Sequence, residues 1–238
     1  DGDETEALAK SMEEELGITF TVSSEDGCLK IAASGENGHA STPWKGKNAL
    51  TGLLALIERL PLAECGQLKA VRALNHLMPH GDWFGAGLGI QMSDEESGEL
   101  TLAFSMLDIS EKSLEGEFDS RCPICATKEN TIDVIRKNME AEGISFNTEE
   151  LEPPHHVPAD SDFVKTLLSA YESYSGRKGE CIAIGGGTYV HHLKNGVAFG
   201  ACLPETENHM HGPDEFAVVD ELLMSAKIFA QVIVDLCS

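Results

Sequence analysis

Nothing in the sequence approaches the run of ~20 apolar residues that a membrane-spanning helix needs. Positive charge is scarce too. Lys and Arg number 17 against 40 Asp and Glu, a formal net charge of −23. A chain this acidic is repelled by phosphate backbones and by anionic membrane surfaces, so neither nucleic acid nor a membrane is expected as a partner. The start, Asp1-Gly2-Asp3-Glu4, has no basic n-region and no apolar h-region, so it does not read as a signal peptide and a cytoplasmic location is expected. An initiator Met is also missing, which leads to the expectation of a fragment or a processed product.

A disulfide framework is absent as well. The seven Cys (28, 65, 122, 125, 181, 202 and 237) are odd in number and irregular in spacing, as for reduced thiols. Cys122-Pro123-Ile124-Cys125 has CxxC spacing. No second CxxC completes a zinc knuckle, and the pair precedes a loop rather than opening a helix, as a redox pair would. There is no phosphate loop: Ile184-Gly185-Gly186-Gly187-Thr188-Tyr189 does not read GxxxxGK[ST]. Its glycines suit a tight turn or a close backbone approach to a substrate.

What is present is enough for a folded core: 238 residues, 42% of them hydrophobic. Residues 4–16 read as an acidic helix ending at Gly17. Ile18–Val22 and Cys28–Ala32 read as a strand pair around a Ser23–Gly27 turn. Ser41-Thr42-Pro43 reads as a cap and Pro ahead of a helix carrying Ala49, Leu50, Leu53, Leu54 and Ile57. A helix is expected over 66–77, strands over 87–92, 99–107 and 114–121, a helix over 129–141 and a strand over 144–146. Pro153, Pro154 and Pro158 mark the best domain boundary. Beyond it come a helix over 161–174, buried strands over 180–184 and 196–201, and a last helix over 219–236. Strands with helices in no strict alternation predict an α+β fold.

Three places could carry chemistry. Glu207-Asn208-His209-Met210-His211-Gly212-Pro213-Asp214-Glu215 precedes the last helix. His211 there could ligate zinc or manganese, or the loop could simply place acids at a helix N-terminus. Gly38-His39-Ala40-Ser41-Thr42-Pro43 joins a strand to a helix, where an exposed His39 could stabilise an oxyanion or have no role. The Gly185–Tyr189 run is the third. His80-Gly81-Asp82 has metal-site spacing but sits in a Pro- and Gly-rich connection. Glu13-Glu14-Glu15 reads as a solvated helix face. His155-His156 and His191-His192, if on strands, can each offer one ring to a given site.

Taken in order, these motifs become specific: Gly38–Pro43 with Gly46-Lys47-Asn48-Ala49, Asp119-Ser120-Arg121-Cys122-Pro123, Ile184–Tyr189, and Met210-His211 with Glu215. The set resembles the PepV-type dipeptidases, a branch of the dinuclear zinc-peptidase family that also holds carnosinases, aminoacylases and desuccinylases. The resemblance implies an α+β lid domain with antiparallel sheet and helices over 1–152. It implies the C-terminal part of an α/β zinc-peptidase catalytic domain over 153–238. It implies that His211 is a metal ligand and that His39 stabilises the tetrahedral intermediate. Arg121 would hold the substrate's C-terminal carboxylate, with Gly185, Gly186, Gly187 and Thr188 as backbone near the substrate.

The implied cofactor is a pair of zinc ions, with manganese as an alternative, and the implied partner is a dipeptide. The family's His-x-Asp pair, bridging Asp and Glu-Glu pair have no counterpart here, so the N-terminal half of a catalytic domain is expected to be needed. Relatives often carry Arg where this chain has His191. The expected activity is therefore that of a metallo-dipeptidase parent, with this chain alone inactive and without stoichiometric metal. The alternatives are an N-acyl-amino-acid amidohydrolase of the same family and a non-catalytic, lid-containing module.

Overall fold

The computed structural model describes residues 2–200, 202–210 and 213–238. The chain divides into two compact units: Asp1–Pro154 with Ala183–Gly186, and His155–Ile182 with Gly187–Ser238. The fold is mixed α+β, and its described sheets are small antiparallel pairs.

In the first unit, helix α1 (Gly2–Leu16) repeats Ala9, Met12 and Leu16 at helical spacing and buries all three. They pack with Ile18, Phe20 and Leu56 in one core cluster. Strands β1 (Thr19–Glu25) and β2 (Cys28–Ser34) pair antiparallel. They turn on Asp26 and Gly27 alone, both at left-handed φ (51° and 77°), so the strands run further than the expected five-residue turn allowed. The Glu13-Glu14-Glu15 run is only partly a solvated face. The Glu13 carboxylate is paired with Lys10 and accepts from Phe20 N at 3.0 Å, while Glu15 takes both Arg59 guanidinium nitrogens at 3.1 and 3.2 Å.

A second core cluster joins α2 (Ala49–Arg59), α3 (Gly66–Leu77), β5 (Thr101–Ile109) and α4 (Ile132–Ala141) through Leu54, Leu74, Phe104 and Ile135. Each large apolar side chain so buried contributes roughly 1.5–3 kcal/mol. The short strands β3 (Ser93–Asp94) and β4 (Gly98–Glu99) pair with each other, and β5 pairs with β6 (Leu114–Arg121).

Several expectations need correction. Ser41-Thr42-Pro43 does not cap α2. Pro43 opens a 3-10 turn (Pro43–Lys45), and Asn48 caps the helix, its Oδ1 accepting from Leu50 N and Thr51 N at 3.0 and 3.2 Å. Residues 87–92 form no strand, because Gly89 N and Ile90 N turn back onto the carbonyls of Ala86 and Gly85. Residues 144–146 are likewise irregular; Phe146 is held by stacking on Phe118 at 5.8 Å. His80 and Asp82 are structural. The His80 ring bridges Thr51 Oγ1 (2.9 Å) and the Leu16 carbonyl (2.8 Å), and Asp82 accepts from the N–H groups of Phe84, Ala86 and Gly87.

In the second unit, α5 (Asp162–Ser175) and α6 (Val219–Cys237) bury Leu167, Ala170, Ile228 and Val232 against each other. The strands expected over 180–184 and 196–201 are not formed at any described residue, and Ala201 lies outside those described. Ile182 and Ile184 are 79% and 57% exposed rather than buried. A strand needs a ladder partner for its backbone, and no described strand pairs with either segment. No helix among the described residues is long and apolar enough to cross a membrane.

Two local devices hold the first unit's connections in place. Glu36 and Lys47 exchange both backbone hydrogen bonds (3.1 and 2.8 Å) and close residues 36–47 into a loop. The approach at that neck admits no side chain at Gly35, where a Cβ would lie 2.0 Å from the Lys47 carbonyl oxygen. Asp94 ties a second knot. It accepts from the N–H groups of Glu96, Ser97 and Cys125 and from the Ser97 hydroxyl. These bonds, led by those from Ser97, hold its carboxyl down to a pKa of about 2.

Gly35→Ala is expected to cost about 1–3 kcal/mol of stability. Gly66→Ala, at a helix start with open space around it, is expected to gain about 0.5 kcal/mol. Paired thermal melts read the contrast. Asp94 has a depressed folded-state pKa, so its stabilisation is present above the unfolded value near ~4 and is lost as pH falls towards about 2. Asp94→Asn should therefore melt below the wild type at neutral pH, with the gap closing between pH ~4 and ~2.

Candidate functional site

The site grows from the β5–β6 hairpin. Its register sets Thr101 opposite Arg121. The Thr101 hydroxyl donates to the Ala40 carbonyl at 2.9 Å, which fastens the loop carrying His39 to the strand beside Arg121. Asn48, at the other end of that loop, donates its Nδ2–H to the Phe104 carbonyl at 2.8 Å. The closed neck at Glu36 and Lys47 completes the frame. An exposed polar loop is thus pinned at two places by partners distant in sequence and closed at its own neck.

Within the loop, His39 is exposed and its Nδ1 faces Ser41 twice. The Ser41 backbone N–H donates to Nδ1 at 3.2 Å, and the Ser41 hydroxyl lies 2.7 Å from the same nitrogen. An N–H donor can meet only an unprotonated Nδ1, so the neutral ring carries its proton on Nε2. Arg121 ends β6. Its Nη2 donates to Asp119 Oδ2 at 2.8 Å, and its Nε is buried with no hydrogen-bond partner among the described residues. An unmet buried donor costs about 1–3 kcal/mol and calls for an acceptor.

Segment 183–186 belongs to this same unit. A Cβ at Gly185 would lie 2.8 Å from Ser41 Cβ and 3.4 Å from Arg121 Cβ. Gly185 therefore packs on both, and only glycine fits without displacing them. A Cβ at Gly186 meets nothing within 4 Å. Ser41 touches His39, and Gly185 lies against both Ser41 and Arg121, which brings the four residues into one chain of contacts. Gly187 and Thr188 fall in the second unit, where the Thr188 carbonyl accepts from His191 N at 3.1 Å.

His211 lies outside the described residues, as does Gly212. Nearby, Phe216 N–H donates to the Asn208 carbonyl at 3.1 Å, and the Phe216 ring meets His209 edge-on at 5.6 Å. His191 and His192 lie in consecutive turns, so the strand argument about adjacent rings does not apply to them. Their rings meet edge to face at 5.2 Å, and His155 stands 5.7 Å from His191. Among the described residues, no group of three or more His, Cys, Asp or Glu is arranged to hold a metal ion. By themselves those residues do not fit a zinc pair. The CxxC pair does not suit redox catalysis either. Burial pushes the Cys122 thiol up, and desolvation followed by the Asp94 charge pushes up Cys125, whereas a reactive thiol needs the reverse.

Three contributors were not assigned a role from the sequence. Ser41 could have been found, because Ser is known to bond locally two residues away. Asp119 stands two residues before Arg121 on one strand face, where such pairs meet. Thr101 gives no local signal, since its tie to Ala40 depends on the hairpin register.

Known proteins bear on this geometry. Residues 5–235 match the family described as Peptidase family M20/M25/M40. The chain is 36% identical over 213 residues to a "Putative dipeptidase YtjP" of Bacillus subtilis (strain 168), covering 89% of this chain and 45% of that protein. It is 32% identical over 226 residues to a "Beta-Ala-Xaa dipeptidase" of Lactobacillus delbrueckii subsp. lactis, covering 94% and 47%. A "Putative dipeptidase" of Staphylococcus epidermidis (strain ATCC 12228 / FDA PCI 1200) is 29% identical over 214 residues. The chain spans about half the length of the curated relatives it matches. With a match over nearly its whole length, the chain belongs to peptidase family M20/M25/M40.

Proposed function

We propose that the protein to which this chain contributes is a metal-dependent dipeptidase acting on dipeptides with a free C-terminal carboxylate. One observation carries the reading: Arg121 and the His39 loop meet within one unit, and the Arg121 Nε–H has no acceptor among the described residues. A planar guanidinium with an unmet donor suits a carboxylate, which accepts two parallel N–H bonds. His39, as the Nε2–H tautomer, suits donation to the oxygen that becomes negative when the peptide carbonyl is attacked. A carboxylate anchor close to that donor restricts reach, which favours dipeptides over longer chains.

In this reading 1–152 is a lid domain and 153–238 the C-terminal part of the catalytic domain. Gly185, Gly186, Gly187 and Thr188 lend backbone to the substrate. His211 is one metal ligand, and the other ligands of a zinc pair come from the stretch that relatives carry beyond the matched half. The second unit supports that division. Leu222, Leu223, Phe229, Ile233 and Val234 of α6 are each more than 40% exposed, although a helix apolar on all sides is normally covered on all sides. The partner that covers it is the N-terminal half of the catalytic domain. The related amidohydrolase reading keeps the same anchor with a different acyl pocket.

The test uses the full-length source protein, assayed on dipeptides, on the same dipeptides as C-terminal amides, and on N-acyl amino acids. Dipeptides are expected to be cleaved best and the amides poorly. Arg121→Lys is expected to raise KM and to lower kcat/KM for dipeptides by about 100-fold, or about 2.7 kcal/mol, while changing amide hydrolysis little. Faster cleavage of N-acyl amino acids would favour the amidohydrolase, and no hydrolysis of any class would favour a non-catalytic module. The 238-residue chain alone is expected to be inactive on all three.

A further inference from the structure

Neighbours dictate where the His39 ring carries its proton, as they do for His80, whose ring is spent on holding α1 to α2. His39 is exposed, and Ser41 makes two contacts to its Nδ1. We propose that Ser41 is the positioning residue of the site, and that its hydroxyl fixes His39 as the Nε2–H tautomer. This rests on the reading of His39 as a hydrogen-bond donor to substrate.

The argument runs from the loop outward. Ser41 N–H aims at His39 Nδ1 at 3.2 Å, which opposes a proton there but is the longer of the two contacts on that nitrogen. The Ser41 hydroxyl, 2.7 Å from the same nitrogen, is then the donor, since Nδ1 has only its lone pair to offer. With Nδ1 committed, Nε2 carries the ring proton, and a neutral imidazole donates from that side. A donor already in place needs no reorganisation when charge develops on the substrate.

Ser41 does not choose its own position. Thr42 N–H bonds the His39 carbonyl at 2.9 Å, and Thr101 holds the Ala40 carbonyl, so residues on both sides of Ser41 are tied. Gly185 supplies the remaining wall, since any Cβ there would press on Ser41 Cβ at 2.8 Å. The first glycine of the Gly-Gly-Gly run thereby acts on His39 through Ser41. This gives that glycine a task separate from lending backbone to a substrate.

The experiment reads the tautomer directly, by long-range 1H–15N correlation NMR of the His39 ring in the full 238-residue chain at a pH where the ring is neutral. Wild type is expected to show Nδ1 unprotonated and Nε2 protonated. Ser41→Ala should raise the Nδ1–H population severalfold, Ser41→Thr should restore the wild-type pattern, and Gly185→Ala should move it in the same direction as Ser41→Ala. Circular dichroism checks that each variant is folded. A wild-type ring protonated on Nδ1, or a folded Ser41→Ala with an unchanged ring pattern, overturns the inference.

Kinetics of the full-length protein separate this from the functional reading. Ser41→Ala should lower kcat roughly tenfold with KM little changed, as expected for a group acting through its neighbour on the transition state alone. A tautomer shift in a full-length protein without peptidase activity would overturn the dipeptidase reading and leave the role of Ser41 intact. A loss of kcat without a tautomer shift would do the opposite.

Discussion

The pairing of Thr101 with Arg121 across the β5–β6 hairpin is the constraint from which the candidate site hangs. Because side chains alternate along a strand, a slip of one residue would send Arg121 to the opposite face and leave the Ala40 carbonyl without the Thr101 hydroxyl. The register is held from both ends. At the turn, Ser110 N–H bonds the Ser113 carbonyl, and the two hydroxyls bond each other. In the middle, Phe104 is buried in the core, and its carbonyl accepts from the Asn48 side chain that caps α2. The irregularity between Phe104 and Met106 absorbs one residue, so the two halves of the hairpin keep their separate alignments.

That frame explains why conformationally special residues crowd the His39 loop. A loop closed by a backbone pair at Glu36 and Lys47 brings two chain segments closer than side chains allow, and Gly35 and Gly46 stand at that approach. Pro43 then starts a short 3-10 turn, where its missing N–H costs nothing. The loop is polar and exposed, yet it is closed on itself at Glu36 and Lys47 and fastened to β5 by the Thr101 and Asn48 hydrogen bonds.

Much of this was legible in the sequence, and the parts that were not share a cause. Helices α3 and α6 and strand β6 could be read from periodicity and bounding residues, since each carries its own pattern. The ordered motifs around His39, Arg121 and Gly185 pointed to the family, to which residues 5–235 belong. The start of α2 was misplaced because Ser41-Thr42-Pro43 imitates a helix cap, whereas Asn48 caps the helix while bonding to β5. The runs 180–184 and 196–201 have the composition of strands. Composition gives a strand only its side chains, and the backbone still needs a neighbour to pair with. Thr101 was invisible for a related reason: a register and a loop decide its role, and neither is local.

Under the proposed reading, the separation of roles follows from how the two units are stabilised. His39, Ser41, Arg121 and Gly185 are fixed by contacts internal to the first unit, which has two clusters of buried side chains to hold them. The groups that meet the carboxylate and the oxyanion are therefore positioned by that unit's own packing. The second unit buries only four residues in its single described cluster and leaves most of α6 uncovered, so its architecture depends on further packing. A peptidase divided in this way keeps substrate recognition on a self-sufficient body and places its hydrolytic centre where two chain halves must combine. Geometry on the recognition side can then be preformed, which is the condition for binding energy to be used at the reacting bond rather than spent on ordering the site.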